Sequence, residues 1–377
     1  MRKKDLKVDI YYDIIWLTMI ERIFKNEEEK ERLESFLRKE NFSSKQINNF
    51  LGDYTQQDSP FFFEYLNEES AINLSAINTI LEAEKEKRSP SQTREMDEFK
   101  GFLKSKNLTV DEGLAIYRYS FYGSEILKLK RSGKSSAEEI QNMSTELEKS
   151  FSLFGEKKSL KNGKIIRDMI EFAKTLNPFE EYDIIQQEVN SYVNKLGFTQ
   201  TLSAYCLSYI YDVMNVLRIG KNISNLDKSL KNQIPYNMVL YRAIDPSFLD
   251  LSKDVIKNPE ILLGETLNQN GYTSTSLRYD NCFAKYSQYP LVLKIFVPKG
   301  TQGLDISRLS YLPNEEEVLL NSCNLFIFNI SSFVHDKNSK YYGKIYADAV
   351  AISKDKACYK DVWTNNNNIV EVADENA

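Results

Sequence analysis

Met238-Val239-Leu240-Tyr241-Arg242-Ala243-Ile244 is the stretch at which the chain changes character. Upstream, from about residue 10 to about residue 230, apolar residues recur at helical spacing between charged clusters such as Glu27-Glu28-Glu29-Lys30-Glu31-Arg32, the pattern of amphipathic helices with solvated outer faces. From about residue 235 onward, short runs rich in β-branched and aromatic residues alternate with Gly, Asn, Pro and Asp, as strands and turns do. Strands are expected over 238–244, 271–276, 291–297, 316–330 and 341–352. Five strands following a helical half predict an α+β protein, with a helical N-terminal domain and then a β-sandwich core with flanking helices.

At 377 residues the chain suits two domains, each able to bury its own core. Helix breaks fall at Asp58-Ser59-Pro60, at Arg88-Ser89-Pro90-Ser91-Gln92 and at Leu176-Asn177-Pro178, where proline and short polar residues disfavour continuing a helix. The last of these sets the expected division into domains 1–180 and 181–377. Within the helical half, Ser135 and Ser136 followed three residues later by Glu138 and Glu139 form a capping box for a helix over 137–154. Gly133-Lys134-Ser135 is no phosphate-binding loop, because Lys128 stands where that motif requires glycine.

Hydrophobic residues at 42% and charged residues at 27% are close to globular averages, which excludes long disorder. The net charge of -5 comes from intermixed signs with no basic stripe, so nucleic acid is not an expected partner. Cys206, Cys282, Cys323 and Cys358 are far apart and form no CxxC pair, so they are read as free thiols. The single histidine, His335, excludes multi-histidine metal sites, and no metal is expected. The apolar patch Ile14-Ile15-Trp16-Leu17-Thr18-Met19-Ile20 follows Lys3 and Lys4, but Asp9 and Asp13 interrupt the approach and no small-residue cleavage site follows. It is read as a buried helix rather than a signal peptide, and no run approaches the roughly 20 apolar residues of a membrane span.

Three segments in the strand-rich half combine into a chemical pattern: Leu240-Tyr241-Arg242-Ala243, Gly271-Tyr272-Thr273-Ser274-Thr275-Ser276, and Pro313-Asn314-Glu315-Glu316-Glu317-Val318-Leu319-Leu320. Each alone has a bland explanation as surface charge, polar strand edge or solvated turn. Together they supply a permanently charged fork for a phosphate at Arg242 and hydroxyls at Ser274 and Ser276 on one strand face, with Thr275 on the other. Glu315 and Glu317 would share a face if that segment were extended, roughly 6.6 Å apart at about 3.3 Å per residue. A fixed carboxylate suits the oxocarbenium character that develops when a glycosidic bond to a cationic leaving group such as nicotinamide breaks.

The order Arg, Ser-Thr-Ser, Glu-x-Glu, with gaps of 32 (242 to 274) and 41 (274 to 315), resembles the arginine-serine-glutamate class of mono-ADP-ribosyltransferase toxins. Val297-Pro298-Lys299-Gly300-Thr301 after a strand and Glu317-Val318-Leu319-Leu320 resemble the enzymatic components of clostridial and bacillar binary toxins, typified by iota toxin. The likeness runs over about residues 195 to 352. It implies an ADP-ribosyltransferase-type core and NAD+ as substrate. It implies that Arg242 holds the NAD phosphates, Ser274 positions the catalytic glutamate and the nicotinamide ribose, and Thr275 and Ser276 complete that strand's NAD contacts. Glu317 would then stabilise the oxocarbenium and Glu315 activate the acceptor. Glutamate rather than glutamine at position 315 marks an arginine acceptor in that class. Phe283 falls where the class places an aromatic beside the nicotinamide, and Tyr205 and Tyr209, ahead of Leu217-Arg218, resemble the tyrosines lining the adenine side. Tyr286 and Ala243 stand where the class commonly carries arginines, which affects the NAD contacts and the identity of the acceptor protein but not the reaction type.

The resemblance further implies a secreted or injected toxin that acts in the host cytosol on a protein acceptor, with actin the leading target. It also implies an NAD glycohydrolase side activity, and a translocation or binding component engaged by the N-terminal domain. A target other than actin, or an inactive fold kept as a binding module, are the competing expectations.

Overall fold

The computed structural model describes residues 20–21, 23–55, 89–153, 159–176, 182–244, 255, 258–279, 289–310, 315–334 and 343–359. The described chain is α+β and falls into two compact units, one of residues 1–120 and 227–377 and the other of residues 121–226. The apolar patch over 14–19, the break at residues 58–60, His335 and the C-terminal tail lie outside the described residues.

The first unit holds the strands β1 (Ile20–Glu21), β2 (Tyr54–Thr55), β3 (Met238–Ile244), β4 (Thr266–Gln269), β5 (Thr273–Ser276), β6 (Leu291–Val297), β7 (Gly303–Asp305), β8 (Glu317–Leu320), β9 (Cys323–Phe333) and β10 (Ile345–Ser353). They run in the order β4-β9-β10-β6-β3-β5-β8-β7, with β2 pairing β3 and β1 pairing β2. Most neighbours are antiparallel, while β6 with β10 and β2 with β3 are parallel. The run expected over 316–330 is two strands broken at Asn321 and Ser322, whose backbone leaves the β8 ladder there. β4 and β7, of four and three residues, are too short to show a period of their own and exist because longer strands offer them an edge.

Alternation explains the burial. Leu240 and Ile244 of β3, Leu293 and Ile295 of β6, Leu325 and Ile327 of β9, and Ala347 and Ala349 of β10 join Val318 and Leu320 of β8 in one core. The opposite face of the same strands carries Val239, Phe296, Phe326, Phe328, Val350 and Ile352. Two N-terminal helices cover that face: α1 (Glu27–Lys39) and α2 (Ser44–Phe50) contribute Leu33, Leu37, Ile47 and Phe50. Phe36 stacks on Phe326 with centroids 3.9 Å apart, so residues 23–55, N-terminal in sequence, complete the core of the strand-bearing unit. Part of the charged cluster at the start of α1 also has a structural task. Glu27 and Glu28 are solvated, but Glu29 is buried and its carboxylate accepts the Lys25 N–H at 2.8 Å, while Asn26 accepts the Glu29 N–H at 2.9 Å.

Two further helices begin in this unit. α3 (Pro90–Ser105) starts with Ser89 as N-cap, a capping box to Gln92 and proline in its first turn, which is why the break read at residues 88–92 is a helix start. α4 (Val110–Ser132) is capped by Thr109, whose N–H and hydroxyl donate to Glu112 at 2.8 and 2.9 Å.

The second unit is built from α5 (Ser136–Leu153), α6 (Ser159–Thr175), α7 (Tyr182–Lys195) and α8 (Gln200–Ser229) within its bounds. Ser135 caps α5 as its sequence predicts, donating its N–H to the Glu138 carboxylate at 2.7 Å and accepting the Glu138 N–H at 3.2 Å. Ile166, Met169 and Ala173 of α6 and Ile185, Val189 and Val193 of α7 meet Ile210 and Val213 of α8 in its core, at the spacing of one helix face. No helix among the described residues is long and apolar enough to cross a membrane.

Candidate active site

β5 is Thr-Ser-Thr-Ser, and its alternation decides what each hydroxyl does. The threonines point inward: Thr273 and Thr275 are buried, and the Thr275 hydroxyl donates to the Val318 carbonyl at 2.6 Å, so a buried polar group is satisfied. The serines take the other face. Ser274 lies opposite Leu319 and Ser276 opposite Glu317 in the antiparallel ladder with β8. The Ser276 hydroxyl donates to the Glu315 carbonyl at 2.9 Å and accepts the Arg278 N–H at 3.1 Å.

The three glutamates are not one extended run. β8 begins at Glu317, and Glu316 has φ 47°, in the left-handed region, where a side chain bearing a Cβ is disfavoured. The alternation that would place Glu315 and Glu317 side by side therefore stops at Glu316. What holds this turn is partly local pairing: the Leu277 N–H donates to the Glu316 carbonyl at 3.0 Å, and the Glu316 carboxylate pairs with the Arg278 Nε at 2.6 Å. Glu317 is buried at 6% exposure, Glu315 is half-buried, and the Ile306 N–H donates to the Glu317 carbonyl at 2.9 Å.

Arg242 occupies β3 on the side that also carries Leu240 and Ile244, and it is half-buried. β3 and β5 pair at one position, Tyr241 opposite Ser276. From the strand beside it the Arg242 Nη1 donates to the Ser274 carbonyl at 2.8 Å. Arg242 and Glu317 are thus linked through β5, one at the Ser274 backbone and the other opposite Ser276, rather than as neighbours in one cross-strand row.

The aromatic positions are distributed differently. Tyr205 and Tyr209 belong to α8 within the second unit; Tyr205 is 47% exposed, whereas Tyr209 is buried with its hydroxyl 2.7 Å from that of Ser144. Burial raises the Tyr209 phenol above its ordinary pKa. Phe283, Tyr286 and Cys282 lie outside the described residues. The other three cysteines are buried free thiols, pushed up to about 11 by desolvation. Among the described residues no group of His, Cys, Asp or Glu is arranged to hold a metal ion.

Two residues to which the sequence reading assigned no role stand beside these positions, Arg278 and Glu316. The charges themselves were visible, but only the β5/β8 register brings residue 278 back to residue 316. The residue types carried by β3, β5 and β8 are those a ligand of mixed character calls for: a guanidinium for phosphate, hydroxyls for a ribose, and a carboxylate for developing positive charge.

Comparison with known proteins finds likeness to ADP-ribosyltransferases. Residues 206–351 match the family model described as ADP-ribosyltransferase exoenzyme. The chain is 26% identical over 189 residues to the mono-ADP-ribosyltransferase C3 of a Clostridium botulinum C phage, covering 42% of this chain and 76% of that protein. Among solved structures, C3stau2 from S. aureus with NAD is 17% identical over 68% of this chain and 92% of its own, with a TM-score of 0.37. The enzymatic component C2-I of the C2-toxin from Clostridium botulinum is 19% identical over 44% of this chain and 40% of its own, with a TM-score of 0.30. At these TM-scores the likeness rests on the sequence comparisons: over residues 206–351 the chain matches the ADP-ribosyltransferase exoenzyme family model.

Proposed function

We propose that the protein is an NAD+-dependent mono-ADP-ribosyltransferase that modifies an arginine of a host protein, with actin the leading target. The observation that carries the reading is that β3, β5 and β8 are neighbours, so Arg242, Ser274, Ser276, Glu315 and Glu317, far apart in sequence, lie on or beside one strand, β5. In this reading Arg242 binds the NAD+ diphosphate, and Ser274 with Thr275 and Ser276 forms the strand against which the nicotinamide ribose lies. Glu317 stabilises the oxocarbenium as the bond from ribose C1′ to the nicotinamide nitrogen breaks and nicotinamide leaves neutral with the bonding pair. An acceptor guanidine nitrogen then bonds to C1′ and gives its proton to Glu315. Without an acceptor, water takes its place, which is the glycohydrolase side reaction. Phe283, Tyr205 and Tyr209 are assigned to the NAD+ contacts on their resemblance alone.

Glutamate at 315 supports the guanidine acceptor. The relative named mono-ADP-ribosyltransferase C3 keeps a second reading in view, the same chemistry on another protein. The division of labour expected from the sequence, residues 181–377 for catalysis and 1–180 for a translocation partner or delivery, belongs to this proposal, with residues 23–55 lending packing to the catalytic side. So does action in a host cytosol after secretion or injection.

The test is nicotinamide release from NAD+ by the purified chain, with Glu317→Gln as control. No release by the wild type sinks the enzyme reading and leaves an inactive binding module. For the acceptor, a host lysate incubated with labelled NAD+ should show one actin-sized band that is lost in Glu315→Gln; a band elsewhere moves the target to another protein.

A further inference from the structure

Glu316, the middle glutamate of the triplet, is the least expected residue at the site. It is 5% exposed, it carries a charge, and its φ of 47° is one that glycine or asparagine adopts far more readily. A buried carboxylate persists when it is paired, and here the partner is Arg278, whose Nε lies 2.6 Å away. A strained, buried, charged residue in a turn is retained where the surrounding structure over-determines it, and this turn is held at three points: by the ion pair, by the Leu277 N–H on the Glu316 carbonyl, and by the Ser276 hydroxyl on the Glu315 carbonyl.

The geometry points to Arg278 and Glu316 as a pair of positioning residues for transfer. Their ion pair locks the end of β5 to the turn, and the turn sets the directions of Glu315 on one side of Glu316 and Glu317 on the other. Neither residue of the pair touches NAD+ in this assignment; both act through the two glutamates that flank or follow them. The inference rests on the transferase reading above. Its physical basis is that alternation fails at a left-handed residue, so the relative aim of Glu315 and Glu317 is fixed by what holds residue 316 and not by strand geometry.

The experiment measures nicotinamide release and transfer to a small soluble guanidine acceptor for Arg278→Ala, Arg278→Lys, Glu316→Ala, Glu316→Gly and the double alanine variant, alongside NAD+ affinity. Misplacing catalytic groups by about an ångström costs on the order of a hundredfold, so each alanine variant should lose between about tenfold and a hundredfold in turnover. NAD+ affinity should stay within about threefold. The double variant should be no slower than the slower single, since the pair acts as a unit. Arg278→Lys should recover part of the loss. Glu316→Gly relieves the backbone, so it should be more heat-stable than Glu316→Ala yet equally slow. Turnover within about twofold of wild type in both alanine variants, or wild-type turnover in Glu316→Gly, overturns the inference. If the wild type releases no nicotinamide, the enzyme reading fails separately. Hydrogen exchange at the Leu277 and Ile306 amides then decides: both should exchange faster in the alanine variants, and unchanged rates overturn the pair's role in holding the turn.

Discussion

Ser276 stands opposite Glu317 in the β5/β8 ladder while its hydroxyl donates to the Glu315 carbonyl at 2.9 Å. One serine therefore ties the strand to both acidic residues. Ser276→Ala leaves the Glu315 carbonyl and the Arg278 N–H without this partner. A cost of about 1–2 kcal/mol follows from leaving partly buried polar groups unmade, read as a lower denaturant midpoint with an unchanged slope. Turnover should fall more than NAD+ affinity does.

Arg242→Lys keeps the charge but loses the planar fork that reaches the Ser274 carbonyl. Because the residue is half-buried, stability should change by less than about 1 kcal/mol. Nicotinamide release should drop on the order of a hundredfold if the fork stabilises charge on the diphosphate during transfer. A release rate equal to wild type places the phosphate contact elsewhere.

Leu37 of α1 is fully buried against the strands. Leu37→Ala should destabilise the strand-bearing unit by about 2–5 kcal/mol, the usual cost of a leucine cavity. Amide exchange in β9 and β10 should quicken with it, which tests whether residues 23–55 share the cooperative unit of the strands.

A Cβ built on Gly303 in β7 meets the Leu320 Cδ2 at 2.9 Å, the Leu319 carbonyl oxygen at 3.0 Å and the Leu320 Cα at 3.2 Å. Two of these three neighbours are backbone atoms and cannot swing aside. Gly303→Ala should therefore cost about 1–3 kcal/mol, checked by thermal unfolding, and should loosen β8 at the end away from Glu317.

The Cys323 thiol is pushed from 9.0 up to about 11, first by burial. The folded protein holds this proton where the unfolded chain has begun to release it. Its contribution to stability is therefore complete below pH 9 and is lost as pH rises from 9 towards 11. Denaturant midpoints should fall across that window and fall less in Cys323→Ala. In native buffer near pH 8 the thiol should resist alkylation until the protein unfolds.

Where β3 and β6 lie could be read from residue order alone, because Met238–Ile244 and Leu291–Val297 are apolar runs long enough to show their period and bounded by turn residues. The same holds for the α5 cap at Ser135, a local hydrogen bond set by four consecutive residues. The residue types at 242, 274, 276, 315 and 317 likewise carried their chemistry in plain view, since a guanidinium, a hydroxyl and a carboxylate have the same donors and acceptors in any fold. Tertiary structure alone decided that α1 and α2 close the face of β9 and β10, that Arg242 meets β5 through the Ser274 backbone, and that Glu316 turns out of the strand against Arg278. Each of those depends on pairings between residues tens to hundreds of positions apart, where the partner is chosen by register and buried area, and no local pattern encodes either.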